Sequence, residues 1–213
     1  MNYIENIYIC LAAPLLIAVM SLRGNSRRTI FFLLGGMTSC LLSSYISTFI
    51  AYVQRADLVA ASIEIAPMVE EFMKLMPVIF YLLVFEPSKE KAAGGILMIS
   101  VGFATFENVC YLTQNGASRI TYLLIRGFGA GAMHVVCGLI ISSGLWYLWD
   151  RVWLRLAGIV GLLSFAIMFH AIYNILVSQT GIAAAIGYLI PLTVTVLMMC
   201  FSIKTRLYSR TSE

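Results

Sequence analysis

Charge is scarce in this chain. Asp, Glu, Lys and Arg make up only 11% of its 213 residues, whereas 61% are hydrophobic and the mean hydropathy is +0.91. A soluble domain has about 25% charged and about 45–50% apolar residues, so the composition excludes that class. Apolar runs of about 20 residues recur and predict an integral, multi-pass protein of the cell membrane. We expect it to be surrounded by the lipid bilayer and to have no nucleic-acid partner.

Cysteine pairs and a cleavable signal are missing as well. The five cysteines are scattered with no CxxC pair, which is typical of small packing residues rather than of a disulfide framework. The first residues, MNYIEN, contain an acid and no basic stretch, so residues 4–21 predict a retained membrane span. No linker or low-complexity tract interrupts residues 1–213, and we expect a single membrane domain.

Seven apolar segments are present, and each is long enough to cross a hydrocarbon core of about 30 Å as a helix. Helix is expected because an open strand would leave its backbone groups unpaired in lipid. The predicted fold is therefore all-α, a bundle of about seven transmembrane helices. The segments cover residues 4–21, 29–53, 65–85, 92–112, 127–149, 153–178 and 182–203.

Basic residues are distributed unevenly between the two sides of this bundle. Cytoplasmic loops carry the excess of Lys and Arg, so the N-terminus is expected outside and the C-terminus in the cytoplasm. The predicted outer side holds only Arg55 and Arg119. The cytoplasmic side holds Arg23, Arg27, Arg28, Lys89, Lys91, Arg151, Arg155, Lys204, Arg206 and Arg210.

Ionisable side chains interrupt the third to sixth segments. A charge at the bilayer centre costs about 3 kcal/mol or more, so such residues usually have partners and a function. Counted from the outer ends of their segments, they lie at depths of roughly 9–14 Å. We therefore expect one active site between helices 3 and 6, in the outer half of the bilayer. Its members are Glu70, Glu71 and Lys74 in EEFMK, Glu107 in FATFEN, His134 in GAMHVVCG and His170 in MFHAIYN.

Helical spacing predicts which of these side chains meet. At 100° per residue, Glu70 and Lys74 lie about 40° apart and are expected to pair. Glu71 points about 100° away from Glu70, so the two acids need not have the same role. Asn174 shares a face with His170 and can reach the same pocket.

Small residues predict where helices approach closely. The second segment is rich in Gly, Ser and Thr, which favours an interior helix whose serines serve packing. Gly127 and Gly131 form a GxxxG pair that is expected to make a tight helix contact just before His134. Arg126 is expected to extend outward to the headgroups. Residues 54–64 are too polar for the bilayer centre and are expected to lie on the outer surface or to extend the third helix outward.

Carboxylates and imidazoles at one depth suit hydrolysis of a peptide bond. The reaction needs a held water, a base and stabilisation of the developing oxyanion. A glutamate can be the base, and two histidines can bind a metal, donate to the oxyanion, or both. Two Glu and two His also supply a Zn²⁺ ligand set with a base left over, so sites with and without metal are both open. HExxH, GxGD and GxSG are missing, which argues against the zinc site-2, aspartyl and rhomboid-like protease types.

The four motifs together resemble a known family. EEFMK (70–74), GFATFEN (102–108), the lone His134 and HAIYN (170–174) are similar in order and spacing to the motifs of the PrsW-type intramembrane proteases. These are related to the CAAX-protease and bacteriocin-processing membrane proteins. The resemblance covers a motif core of about residues 65–178. It implies a membrane endopeptidase, and for the best-known members the site-1 cut of a single-pass anti-sigma factor near the outer face.

The resemblance also implies individual roles. Glu70 or Glu71 is the general base and the other supports it, while Lys74 orients both. Asn108 and Asn174 are supporting residues; Asn174 stands where some relatives have Asp and cannot be an anionic metal ligand. The remaining residues hold the water or a metal, with Zn²⁺ as the expected ion: Glu107, His134 and His170.

Two other functional classes remain open. A proton-coupled transporter also buries Glu and His, but it usually shows an internal repeat, and the sequence contains none. A non-catalytic relative, such as an immunity or scaffold protein, would keep the fold and bind a partner. Taken singly, the polar residues also fit structural roles such as an ion pair or a polar clamp between helices. Their coincidence at one depth favours catalysis.

Overall fold

The computed structural model describes residues 4–85, 87–116 and 120–211, and every regular element in these ranges is helical. Arg119, assigned above to the outer side, lies outside the described residues. A π-helical segment, Ala61–Ile65, joins the third and fourth helices. The helices are α1 (Ile4–Ser21), α2 (Gly24–Gln54), α3 (Leu58–Ala60), α4 (Ala66–Phe85), α5 (Lys89–Asn115), α6 (Ile120–Leu148), α7 (Val152–Ser178) and α8 (Ile182–Thr211).

The predicted all-α architecture is confirmed for the described residues. Several helices extend beyond their apolar segments because polar residues continue the helix, as at Lys89, where α5 begins before residue 92. Among the described residues, six helices are long and apolar enough to cross a membrane, namely α1, α2, α5, α6, α7 and α8. The long helix α4 is not among them, because its 20 residues include Glu70, Glu71 and Lys74.

Helices α2 and α5 pack with their backbones in contact. A Cβ atom added to Gly36 would lie 2.0 Å from the carbonyl oxygen of Ile99. One added to Gly102 would lie 2.0 Å from the carbonyl oxygen of Leu33. Only glycine permits so close an approach. The prediction that the second segment is an interior helix is confirmed by this contact.

Helix α6 packs on its neighbours at glycines other than the predicted pair. A Cβ at Gly127 would meet nothing within 4 Å, and one at Gly131 would make only an ordinary contact at 3.7 Å. The expected GxxxG contact is therefore wrong. The close approaches occur at Gly129, against a tyrosine ring of α8, and at Gly138, against a serine of α5. A glycine pair marks a helix face, but it does not show whether another helix lies against that face.

Residues 58–65 of the polar stretch extend α4 at its N-terminal end. That this extension lies on the outer side of the membrane stays a prediction. The carboxylate of Asp57 caps α3 by accepting from the backbone N–H of Ala60 at 2.7 Å. In the π-helical segment, the N–H of Ala66 bonds to the carbonyl of Ala61, five residues back. The chain then enters α4 without a break.

A proline creates a vacant carbonyl in the π-helical segment. In π-helical register the carbonyl of Ser62 would accept from residue 67, but Pro67 has no N–H. Asn174 of α7 supplies the missing donor, with Nδ2 2.8 Å from Ser62 O. The start of α4 is therefore fastened to α7 by a side chain.

Four helices enclose the middle of the bundle. Helix α4 contacts α5 and α7, and α6 also contacts α5 and α7. Phe103 and Met133 are buried between them. The inward faces of α4, α5, α6 and α7 thus share one interior, which positions the polar residues of these helices against each other.

Replacing Gly36 or Gly102 with alanine is expected to disrupt folding. Overpacking usually costs about 1–3 kcal/mol. The cost should be higher here because the obstructing atoms, 2.0 Å from the new methyl group, belong to the backbone and cannot rotate away. Thermal unfolding of the detergent-purified protein should show a midpoint lowered by about 10 °C or more, or no folded protein.

Gly35→Ala is the matched control for this prediction. A Cβ at Gly35 meets nothing within 4 Å, and alanine favours a helix over glycine by about 1 kcal/mol. Its unfolding midpoint should be unchanged or slightly raised. Equal midpoints for the Gly35 and Gly36 variants would contradict the backbone contact.

Candidate active site

Lys74 lies at the centre of a buried polar network. Its Nζ donates to Glu71 Oε1 at 2.7 Å and to His134 Nδ1 at 2.7 Å. All three residues are at most 4% exposed. The predicted pairing of Lys74 with Glu70 is wrong, because Glu71 is the glutamate that points into the bundle. An ammonium group at this depth is tolerated only with such partners.

His170 approaches both glutamates of α4. Its Nδ1 donates to Glu71 Oε1 at 2.8 Å, so in the neutral ring Nε2 is an acceptor. Nε2 faces Glu70 Oε2 at 3.8 Å, too far for a hydrogen bond. Glu70 Oε2 is buried and has no hydrogen-bond partner in the part of the chain that the structure describes. Two acceptors therefore face each other across an unbridged gap.

His134 connects the network to α5. Its Nε2 donates to Glu107 Oε2 at 2.5 Å. The other oxygen, Glu107 Oε1, accepts from Nη2 of Arg126 at 2.7 Å. Arg126 also lies over the ring of Tyr111, 4.5 Å from its centroid. The expectation that Arg126 anchors at the headgroups is wrong; its side chain turns inward because Glu107 offers a carboxylate there.

The two imidazoles are neighbours. Their ring centroids lie 5.1 Å apart with an interplanar angle of 89°. The ring of Phe103 packs against His134 at 5.0 Å and against Lys74 Nζ at 4.4 Å. This apolar wall covers one side of the histidine pair, and a contact between an ammonium and a ring face is itself favourable.

The carboxylates differ in how their charge is compensated. Glu71 is paired with Lys74, and Glu107 is paired with Arg126. Glu70 has no Lys or Arg partner among the described residues, and its nearest ionic contact is His170. With neutral histidines, three carboxylates face two cations, so the ionised site has a net charge of −1. An uncompensated buried charge favours binding of a proton or a cation.

A cavity of about 480 Å³ opens beside this uncompensated glutamate. Glu70, Glu107 and Arg126 project into it, and small residues of the π-helical segment form part of its wall. Helix α2 contributes hydroxyl residues to the lining of this cavity, a placement that packing alone did not predict. These hydroxyl residues are Ser43, Ser44, Ser47 and Thr48.

Neither predicted supporting asparagine joins the glutamate–histidine network. Asn108 Nδ2 donates to the carbonyl of Gly127 at 3.4 Å, at the beginning of the apolar part of α6. Asn174 donates to the carbonyl of Ser62, as described above. Both side chains donate to backbone carbonyls near the site and do not join the network itself.

Sequence reasoning missed Arg126 as a member of the site. It lies eight residues before His134, about 12 Å along the helix axis, so depth alone places it near the membrane surface. The available signal was its long side chain, which can extend toward either the headgroups or a buried acid. Glu107, one helix away and predicted about 10 Å deeper, is the acid that it contacts.

Comparison with known proteins agrees with these motifs. A family model described as PrsW family intramembrane metalloprotease matches residues 27–203. The chain belongs to this family. The match contains every residue of the polar network and extends beyond the motif core of 65–178 predicted from the sequence. No curated protein and no solved structure matches the chain. The chain is thus an integral, multi-pass membrane protein of an intramembrane protease family.

A PrsW family metalloprotease is expected to hold a metal, and three residues fit one. Donor atoms of Glu70, His134 and His170 lie within 4.8 Å of one another. Two His and one Glu form a ligand set of catalytic zinc sites, which keep a fourth position open. Glu107, predicted as the carboxylate ligand, is not in this group. It is held by Arg126 and His134, whereas Glu70 Oε2 has no such partner.

The surroundings of these donors also fit a cation. The net charge of −1 and the unpartnered Glu70 Oε2 both favour one. His170 already donates its other ring nitrogen to the carboxylate of Glu71, as metal-binding histidines usually do. Both nitrogens of His134 are hydrogen-bonded, so it would exchange one of these bonds for the ion.

Asn174→Ala is expected to destabilise the π-helical segment. The substitution removes the donor to the carbonyl of Ser62, and an ordinary hydrogen bond contributes about 0.5–1.5 kcal/mol net. Thermal unfolding of the purified protein should show a midpoint lowered by about 1–6 °C. Ser164→Ala, an exposed position on the same helix, should leave the midpoint unchanged.

Pro67→Ala provides a sharper test of the same contact. Alanine restores an N–H that can bond to Ser62 O in π-helical register. In the Pro67→Ala background, loss of the Asn174 amide should therefore cost less stability than in the wild type. An equal cost in both backgrounds would show that Asn174 does not act through the vacant carbonyl.

Proposed function

We propose that this protein is an intramembrane endopeptidase that cleaves a single-pass membrane protein with water held between Glu70 and His170. One observation supports this most directly. Glu70 Oε2 and His170 Nε2 are two free acceptors 3.8 Å apart, and the Glu70 side chain lines a cavity of about 480 Å³. A water that donates one hydrogen to each acceptor fits between them.

The same gap gives a consistent hydrolytic step. Glu70 Oε2 accepts a proton from the water as its oxygen adds to the scissile carbonyl carbon. The proton then passes to the amide nitrogen, the C–N bond breaks, and an acid and an amine result. Glu71 Oε2 also lacks a hydrogen-bond partner among the described residues, but Glu71 is paired with Lys74 and does not line the cavity. Because its Oε1 accepts from both Lys74 and His170, Glu71 is the positioning glutamate. This assigns different roles to the two adjacent acids of EEFMK.

Glu70, His134 and His170 are the residues that would hold a metal, for which we propose Zn²⁺. When bound, such an ion supplies Lewis-acid polarisation of a peptide carbonyl and of water. Glu70 has two carboxylate oxygens, so it can hold an ion with one and accept a proton with the other. Glu71 orients the His170 ring in either case.

The proposal also includes the membrane topology and the kind of substrate. Helix α4 is a seventh crossing, because 20 residues suffice to span the bilayer and its three charged side chains belong to the polar network inside the bundle. The site then lies between the third and sixth spans, near the outer face, with the N-terminus outside and the C-terminus cytoplasmic. The proposed substrate is a membrane protein with a single span, and an anti-sigma factor that is anchored by one span is of this kind.

Glu70→Gln is expected to abolish proteolysis without unfolding the protein. The amide keeps the size of the side chain but cannot accept the proton, and general-base catalysis contributes about 10²–10⁴-fold. The measurement compares membrane proteomes of a deletion strain that expresses either the wild type or the variant. Full-length substrate should accumulate only with the variant.

Glu64→Gln is the matched control, since Glu64 is an exposed acid in the π-helical segment preceding α4. It should process the same substrate at the wild-type rate. Wild-type processing by the Glu70→Gln variant would exclude Glu70 as the base. Absence of any accumulating substrate would favour the scaffold or transporter alternatives.

Metal content should depend on the proposed ligands. The wild type, purified in zinc-containing buffer and then desalted, is expected to retain about one zinc ion per chain, whereas Glu70→Gln and His170→Ala should lose most of it. Glu64→Gln should retain the wild-type amount. Elemental analysis measures the content, and chelation followed by zinc addition tests whether proteolysis follows it. If a zinc-free preparation were fully active, zinc would be excluded from the mechanism, and the transfer of a proton from water to Glu70 would remain.

A further inference from the structure

Two contacts hold Arg126 in the site, and both are with residues of α5. Its Nη2 donates to Glu107 Oε1 at 2.7 Å, and its guanidinium stacks on the ring of Tyr111 at 4.5 Å. The side chain is 16% exposed and lines the same cavity as Glu70. No motif of the chain predicted this residue, and the hydrolytic step above does not use it.

Glu107 links Arg126 to His134. Oε1 accepts from Arg126, and Oε2 accepts from His134 Nε2 at 2.5 Å, so each carboxylate oxygen has one donor. On its other side, His134 Nδ1 accepts from Lys74, which has only donors. Both contacts require the proton of His134 to be on Nε2. His170 has the opposite tautomer, because its Nδ1 donates to Glu71.

Removal of the Arg126 guanidinium would change the number of carboxylates that lack a cationic partner. Glu107 would lose its cation and join Glu70 as a second uncompensated acid on the same cavity. The ionised site would then have a net charge of −2 instead of −1. Two like charges in one poorly solvated pocket repel each other, and Glu107 would be held beside His134 by the imidazole hydrogen bond alone.

We propose that Arg126 is a positioning residue of this site. By holding Glu107, it keeps the acceptor of the His134 Nε2–H in place, while Lys74 keeps Nδ1 unprotonated. It also leaves Glu70 as the one carboxylate of the network that has no Lys or Arg partner among the described residues. The catalytic meaning of this role rests on the proposed function. The effect of Arg126 on the His134 ring can be measured without a proteolysis assay.

The chain contains only two histidines, which makes a direct test practical. Full-length protein labelled with ¹⁵N-histidine is reconstituted in lipid, metal is removed with a chelator, and the ring nitrogens are observed by NMR. Protonated and unprotonated imidazole nitrogens have well-separated shifts, and a His170→Gln sample assigns the two rings. Wild type is compared with Arg126→Ala, Arg126→Lys and, as a control, Arg55→Ala, which replaces an exposed arginine at the end of α2.

The wild type should show His134 with its proton on Nε2 and His170 with its proton on Nδ1. Arg126→Ala should shift the Nε2 signal of His134, because its acceptor Glu107 is no longer held by a cation, and should leave His170 unchanged. Arg126→Lys should restore the signal in part, because an ammonium group can donate to one oxygen but lacks the fork of a guanidinium. Arg55→Ala should change neither ring.

Two outcomes would overturn the proposal. One is an unchanged His134 spectrum in Arg126→Ala. The other is an equal change in both rings, which indicates general loosening of the bundle. A Glu107→Ala background adds a check, since loss of Arg126 should have no further effect there if it acts through Glu107. If Arg126→Ala does not fold, Arg126→Gln replaces it, and the same two outcomes decide.

Kinetics separate this inference from the proposed function. With the substrate found by membrane proteomics, Arg126→Ala should lower kcat by about 10–100-fold, the range for residues that orient ligands, with little change in KM. Added guanidinium should restore part of the rate, which a purely structural role would not allow. A wild type that cleaves nothing would refute the proteolytic function, while the NMR result would still decide the role of Arg126.

Discussion

A buried ammonium group holds the active site together. Lys74 contributes a positive charge in a region where charge is costly, and it is stable there only because Glu71 and His134 accept its hydrogen bonds. Glu71 in turn accepts from His170. Three helices, α4, α6 and α7, are thereby joined through one cation. The helices could not slide along one another without leaving a charge in the interior unpaired.

This constraint explains why the chain keeps three glutamates in its interior. Two of them have cations and serve to orient the histidines, and the third, Glu70, has none. A structural polar clamp would compensate every charge. A site that must take up a proton or a cation needs one acid left free, and the cavity lies beside that acid. The family to which the chain belongs gives this arrangement a chemical purpose.

Sequence reasoning found the helices and the members of the site because hydrophobic length and depth along a helix are one-dimensional quantities. The sequence did not show which of two candidate partners a side chain contacts. Whether Lys74 meets Glu70 or Glu71 depends on how α4 is rotated against its neighbours, and whether Arg126 extends outward or inward depends on an acid of another helix. The contact of Asn174 arises from a π-helical segment and a proline, and hydrophobic periodicity carries no signal for it.

The backbone contact at Gly36 and Gly102 has a mechanical consequence. Helices joined at that separation behave as one stiff plate, because no side chains lie between their backbones to deform there. The hydroxyl-lined wall of the cavity and the Glu107 side therefore keep a constant distance. The cavity also borders the π-helical segment, where the hydrogen-bond register is already irregular and the amide of Asn174 anchors the backbone, so any widening of the cavity is expected on that side.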